Sequence, residues 1–356
     1  MFKRKVLVWG LTNNRAGTEA IIKNYVQLCD NASFDFLCYE EPTNHSEIFE
    51  NGNNRYYVFP AKSRNIVGYY KELVKFMRKN AKKYNALWMN INDTANIDAL
   101  VWAKRYGISK RIVHMHNSKV SNIFLVRLFS FFNKRRCINK ATDYWACSEK
   151  AGEFLYGDRS FKVIPNIVDP KNIEYSVAAR HQIRDTYHLD NCFVIGAVGR
   201  LSEVKNIEFI IRIFPMLLKK KANTRFLVVG DGELREGLEQ LVCRNGFSDK
   251  IIFVGSQKNV AAYYSALDAF VMPSFFEGLP VSLLEAQFNG LPCVISDRIS
   301  DESIISSNVQ QVSLSEAEHW VDCLSSILCR ENKLDYERAK KYTFAEGKRS
   351  AQVMFD

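Results

Sequence analysis

No stretch of this 356-residue chain holds the run of about 18 apolar residues that a membrane-spanning helix needs. The N-terminus, MFKRKVLVWG, follows its basic residues with an apolar run too short for a secretory signal, and it lacks a small-residue cleavage site. There is no Cys-x-x-Cys pair either. The nine cysteines scatter from Cys29 to Cys329 without the repeated spacings of a disulfide framework or zinc site. Buried free thiols and a cytoplasmic location are therefore expected. Neither half shows Gly-x-Gly-x-x-Gly after its first strand, which argues against a nicotinamide-dependent Rossmann enzyme. Zinc fingers, aromatic RNP-type strands and helix-turn-helix patterns are missing too, so no nucleic-acid partner is expected.

What remains suits a globular enzyme, with 47% hydrophobic and 25% charged residues. The length fits two domains of roughly 150 to 180 residues. Charge is uneven: residues 1–165 hold 27 Lys+Arg and 14 Asp+Glu, whereas the rest is slightly acidic within a total of +10. Such asymmetry directs the first half toward something anionic, and a membrane surface is the expected partner.

Apolar runs at 5–9, 34–39, 86–91, 111–115 and 143–147 read as buried parallel strands, with helical patterns at 18–29, 67–83 and 95–105 between them. The alternation restarts after Pro165, with strands at 192–198, 225–230, 250–255, 268–273 and 292–296. Strand–helix alternation occurring twice predicts two doubly wound α/β domains facing across a cleft. The expected boundary falls in VIPNIVDPKNI: one domain over 1–165, joined by a C-terminal helix within 340–356, and the other over 166–339.

The strongest chemical signal is PSFFEGLPVSLLEAQFNG. A helix is expected to start near Pro280, taken as its first residue, with Glu277 just before it and Glu285 more than a turn inside. Amides around Gly278, Leu279 and Val281 suit a diphosphate, and Gly278 admits close backbone approach. The bland alternative is a Glu that merely complements the helix dipole, plus a solvated Glu. In VIGAVGRLSEVKN, Arg200 and Lys205 follow a strand and can neutralise phosphate oxygens, or can simply be solvated. Gly230, Asp231 and Gly232 make a tight turn that serves equally as a ligand loop or a plain strand-to-helix connection. Gly17 and Thr18 precede a helix, and His114 and His116 share one face of a strand end. A metal would need a third ligand there, so none is expected. The segment 120–141 mixes Phe and Leu with Arg127, Lys134, Arg135, Arg136 and Lys140. It reads as a basic amphipathic helix for an anionic bilayer surface, or as a core-packed helix with a basic last turn.

Glu277 and Glu285, with seven residues between them in EGLPVSLLEA, resemble the paired glutamates of the family 4 retaining glycosyltransferases of GT-B fold. Many of those build capsules, exopolysaccharides and lipid-linked glycans. The resemblance implies a metal-independent enzyme without cofactor that moves a sugar from a nucleotide donor, UDP by family frequency, to a glycan or lipid-linked acceptor. It implies that Glu277 contacts donor-sugar hydroxyls, Glu285 the ribose, and Arg200 and Lys205 the diphosphate. Gly17, Thr18, Gly230, Asp231, Gly278, Leu279 and Pro280 would lie beside the donor, with His116 near the reacting carbon. Ser256, Gln257 and Val260 fall in the family's base-binding region. One departure is Ala16, where the family usually has a glycine. Alternatives are a non-catalytic accessory subunit, against which all four charged residues speak, and a nucleotide-sugar 2-epimerase, whose motif context is missing.

Overall fold

The structure, a computed structural model, describes residues 4–13, 17–50, 52–119, 123–330 and 333–355. The chain divides into two compact units, Met1–Ile167 with Phe344–Asp356, and Val168–Thr343.

The first unit opens with β1 (Arg4–Trp9), α1 (Gly17–Leu28), β2 (Ala32–Cys38) and β3 (Arg55–Val58). It continues through α2 (Ile66–Asn80), β4 (Ala86–Ile91), α3 (Asp98–Arg105) and β5 (Lys110–Met115). The last elements before the crossing are α4 (Phe124–Lys140), β6 (Asp143–Ala146), α5 (Glu149–Tyr156) and β7 (Lys162–Val163). Seven parallel strands align in the order β3-β2-β1-β4-β5-β6-β7. All six residues of β4 are buried, as a strand covered on both faces demands.

The second unit begins with α6 (Pro170–Ile173), α7 (Val177–Thr186), β8 (Phe193–Val198) and α8 (Ile207–Lys220). Then come β9 (Thr224–Val229), α9 (Arg235–Arg244), β10 (Ile251–Gly255), α10 (Val260–Ala266) and β11 (Ala269–Met272). It finishes with α11 (Val281–Phe288), β12 (Cys293–Ser296), β13 (Val309–Val312), α12 (Ala317–Ser326) and α13 (Tyr336–Lys340). The six strands, again all parallel, run β10-β9-β8-β11-β12-β13. The chain then returns as α14 (Phe344–Met354), which packs on α1. Phe355 beyond it sits edge-on to Phe34 and Trp88 inside the first core.

In each sheet the strand order reverses beside the first strand, between β1 and β4 and between β8 and β11. Loops diverge at such a point and leave a crevice at the strands' carboxyl ends, which is where a doubly wound sheet takes its ligand. Three strands are absent from the sequence reading: β3, β7 and β13. They flank their sheets and are short, and β3 (RYYV) exposes three of its four residues and β13 (VQQV) its two glutamines, so none gives a continuous apolar run. Among the described residues no helix is long and apolar enough to cross a membrane, and no cluster of His, Cys, Asp and Glu could hold a metal.

Candidate active site

In the second unit a cavity opens at the reversal point, lined by Ala197 to Leu201 from the end of β8, by Lys205 and Ile207, and by Val271 to Ser274 from β11. Gly199 leaves β8 at φ +148°, and a Cβ there would stand 3.3 Å from Lys205 Cε. The bare glycine thus lets the lysine stem lie across the strand end. A single 3-10 turn, Glu203–Lys205, is closed by Asn206 in the left-handed conformation (φ 50°), whose side-chain amide donates to the Pro273 carbonyl at 3.1 Å. Phe275 N–H donates to the Val204 carbonyl at 2.9 Å, so the β8 and β11 loops are stitched together. This brings Lys205 Nζ to 2.7 Å from Glu277 Oε1, with both side chains mostly buried. Ser274 Oγ, fully buried on the cavity wall, has no hydrogen-bond partner among the described residues.

Arg200 departs from this pair. It is half-exposed and its Nε donates to Glu233 Oε2 at 3.0 Å. Asp231 likewise turns to Arg235 at 2.9 Å, on the first turn of α9. The Gly230 turn is fixed sterically: φ is +136° and a Cβ would fall 1.9 Å from the Gly199 carbonyl oxygen. Leu201 N–H donates to the Asp231 carbonyl at 2.9 Å and completes the contact between the β8 and β9 loops. Gln257 folds back on the Val254 carbonyl at 3.2 Å.

Pro280 is the residue before α11 rather than its first member. Its ψ of 115° is extended, so helical geometry begins at Val281. No side chain caps this end, which follows directly on the Glu277–Gly278–Leu279 loop. Glu285 lies one turn in. Its Oε2 accepts from the Tyr264 hydroxyl at 2.9 Å, and the same hydroxyl is 3.1 Å from the Ser282 carbonyl oxygen. Burial pushes the Glu285 carboxyl up to about 7, against the opposing effect of the Tyr264 hydrogen bond. Tyr264 escapes a sequence reading because nothing in AAYYSAL distinguishes a core tyrosine from one that serves a carboxylate.

In the first unit Gly17 starts α1, and Thr18 Oγ1 donates to Asn92 Oδ1 at 3.4 Å. Ala16 lies outside the described residues. Glu19 is buried, held by Thr12, and desolvation raises its carboxyl above the ordinary range. His114, near the end of β5, and His116, just beyond it, have ring centroids 4.3 Å apart. His114 is wholly buried, stacked on Trp88, and burial holds its imidazole well below the usual range. His116 Nε2 meets Asn90 Oδ1 of β4 at 2.9 Å, and desolvation lowers its imidazole to about 3. The Asn90 Nδ2 faces the Trp9 carbonyl at 3.4 Å, so its oxygen faces the ring and the His116 proton sits on Nε2. Nδ1, partnerless among the described residues, is left as a bare acceptor. Asn90 gives no signal in the sequence because its partner is 26 residues away.

Helix α4 corrects both expectations for 120–141, of which 120–122 lie outside the described residues. It is not core-packed: only Ser130 and Cys137 are buried. Nor do its apolar residues form one stripe. Phe124, Leu125, Leu128, Phe129, Phe131 and Phe132 are all exposed in its first half, whereas Lys134, Arg135, Arg136 and Lys140 occupy its second. Arg159 joins Lys134 and Arg135 around a hollow floored by Phe131 and Ile138.

Residues 192–330 match the family model for glycosyl transferases group 1. The chain is 29% identical over 301 residues to the putative glycosyltransferase EpsF of Bacillus subtilis, covering 81% of this chain and 78% of that protein. It is 27% identical over 177 residues to an Escherichia coli UDP-Gal:alpha-D-GlcNAc-diphosphoundecaprenol alpha-1,3-galactosyltransferase, covering 48% of this chain and 46% of that one. The crystal structure of Anabaena HepE in complex with UDP and glucose superposes with a TM-score of 0.77 over 98% of both chains at 18% identity. Two parallel-sheet Rossmann-like units and these matches identify the chain as a glycosyltransferase of the GT-B fold, similar to the group 1, family 4-type enzymes.

Proposed function

We propose that this enzyme moves a sugar, with retention of configuration, from a UDP-linked donor to a hydroxyl of a lipid-linked saccharide in cell-surface polysaccharide synthesis. The observation that carries it is the Lys205–Glu277 pair at the mouth of a cavity beside the uncapped N-terminus of α11. A diphosphate there meets the lysine charge and helix amides, and Glu277 is left to accept sugar hydroxyls. Arg200, half-exposed and held to Glu233 by a surface ion pair that costs little to exchange, adds a second cation. Negative charge developing on the leaving diphosphate is stabilised by these preorganised donors, and the diphosphate takes the acceptor's proton. Glu285 accepts the ribose hydroxyls. His116, neutral with a bare Nδ1, accepts a hydroxyl hydrogen rather than donating one. The Escherichia coli relative's diphosphoundecaprenol-linked acceptor and the UDP bound by HepE support the choice of acceptor and nucleotide. Helix α4 fits an anionic bilayer: the exposed phenylalanines of its first half can enter the acyl layer while Arg127 reaches back to the headgroups with the basic second half.

The test is a panel of nucleotide sugars, with and without chelator, following nucleoside diphosphate release and the anomeric configuration of the product. One donor is expected to turn over without metal, and Glu277→Ala and Lys205→Ala to abolish turnover. Turnover by neither route from any donor, or an inverted product, overturns the reading.

A further inference from the structure

The Tyr264 hydroxyl lies between two acceptors, the Glu285 carboxylate at 2.9 Å and the Ser282 backbone carbonyl at 3.1 Å. A phenol has one hydrogen to give. While Glu285 is ionised, the charge-assisted bond to its carboxylate is the stronger, and the phenol donates there. Once Glu285 is protonated, it becomes a donor to the phenol oxygen, and the phenol hydrogen turns to the Ser282 carbonyl. Every buried group is satisfied in both states, so the pair changes its proton without disturbing the fold. Tyr264 itself is fully buried, with its ring against Phe270, which fixes where its oxygen stands.

The fixed charge beside this pair is Arg330, whose guanidinium donates to the Tyr264 backbone carbonyl at 3.3 Å and to the Asn289 carbonyl at the end of α11 at 2.7 Å, and which acts on Cys293. Against α11 pack α6, β11 and β12. The two strands carry no charged residue, and Cys293 of β12 acts on Tyr264, not on Glu285. Helix α6 offers only Lys171, which is exposed. Within α11 no other acid or base is present. Tyr264 is the side chain whose hydrogen bond acts on the Glu285 carboxyl, against the effect of burial.

We propose that Tyr264 is a positioning residue that orients the Glu285 carboxylate and keeps it ionised for a nucleoside's ribose diol, and so sets the pH above which the nucleotide donor binds. The inference rests on the ribose role given to Glu285 above. An ionised carboxylate accepts both diol hydrogens, whereas a protonated one loses an acceptor and must shed its own proton first. Burial places that proton exchange near neutrality, at about 7, and the phenol's hydrogen bond opposes any further rise. Donor affinity therefore falls as pH drops through this range and is recovered above it.

The experiment is calorimetric titration of the full chain with UDP-glucose, GDP-mannose and ADP-glucose from pH 5.5 to 9. Their diphosphates are diesters, with no phosphate proton that titrates in this range. For the donor that binds, wild-type affinity is expected to fall toward tenfold per pH unit below the midpoint. Tyr264→Phe keeps the ring and removes the hydrogen bond. Its midpoint should rise by about one unit, since a hydrogen bond to a charged group is worth roughly that much. Affinity at pH 7 then drops about fivefold to tenfold and rejoins wild type near pH 9. Glu285→Gln should bind weakly and without this pH dependence. An unmoved midpoint in Tyr264→Phe, or equal loss at every pH, overturns the positioning role while leaving the ribose role intact. Wild-type affinity in Glu285→Gln overturns the ribose role and this inference together, as does failure of all three donors to bind at any pH.

Discussion

Replacing Lys205 by methionine removes the charge opposite Glu277 while keeping a stem that can still lie over Gly199. At 2.7 Å the gross attraction between Lys205 and Glu277 is about 6 kcal/mol for an effective dielectric of roughly 20. Both side chains keep about a fifth of their exposure, so desolvation cancels much of this, and a net coupling of about 2 kcal/mol is expected. Lys205→Met alone strands a mostly buried carboxylate and should cost about 2–3 kcal/mol in urea unfolding at pH 7. The pair Lys205→Met with Glu277→Gln should cost about 2 kcal/mol less than the sum of the two single changes. Coupling below about 1 kcal/mol refutes the reasoning, because solvent-exposed pairs already reach that much. A double variant as stable as the wild type would instead show that the pair serves ligand binding at no structural benefit.

Gly230→Ala should destabilise the second unit by about 3 kcal/mol, because its φ of +136° and the Gly199 carbonyl oxygen both oppose a Cβ. Gly237→Ala, inside α9 with nothing near the added methyl, should stabilise by about 0.5 kcal/mol, and thermal unfolding separates the two. His116 stays neutral in the fold down to about 3, whereas an unfolded histidine takes its proton near 6.5. Between those values the unfolded state binds more protons, so this residue's contribution falls as pH falls, by about 1.4 kcal/mol per unit. Acid titration of His116→Asn should show a correspondingly shallower slope. Vesicles rich in anionic lipid should bind the chain in low salt, and Arg135→Gln with Arg136→Gln should weaken this by about 2 kcal/mol. Replacing Phe124, Phe131 and Phe132 by serine should reduce binding to anionic and neutral vesicles alike, and unchanged partition would exclude α4 as the docking element.

Both sheets were legible because their central strands, such as ALWMNI and FVIGAV, are buried on both faces and leave unbroken apolar runs. The flanking strands RYYV and VQQV lose that signature because one side of each meets solvent. Of the candidate site, Glu277, Lys205 and the Gly230 turn could be picked out because loop chemistry concentrates them near strand ends. Their partners could not. Asn90, Tyr264 and Ser274 lie inside runs that read as core, and only the fold brings Asn90 to His116 and Tyr264 to Glu285. The character of α4 was misjudged for a related reason. Composition reports how many apolar and basic residues a helix has, but whether they segregate around it or along it depends on which face the neighbouring α3 covers.

The return of α14 to the first unit has a consequence during synthesis. The first unit's core is incomplete without Ala351, Met354 and Phe355, which lie against Phe34, Trp88 and Trp145. A ribosome must add all of Val168–Thr343 before those residues exist, an interval on the order of ten to thirty seconds at ordinary elongation rates. Throughout it, the half of the chain made first waits with an aromatic gap, while the half made second holds all the buried residues of its own core cluster once Leu324 has been added. Birth order and completion order are thus reversed, and a nascent chain stalled before residue 344 should offer chaperones its N-terminal half rather than its newest one.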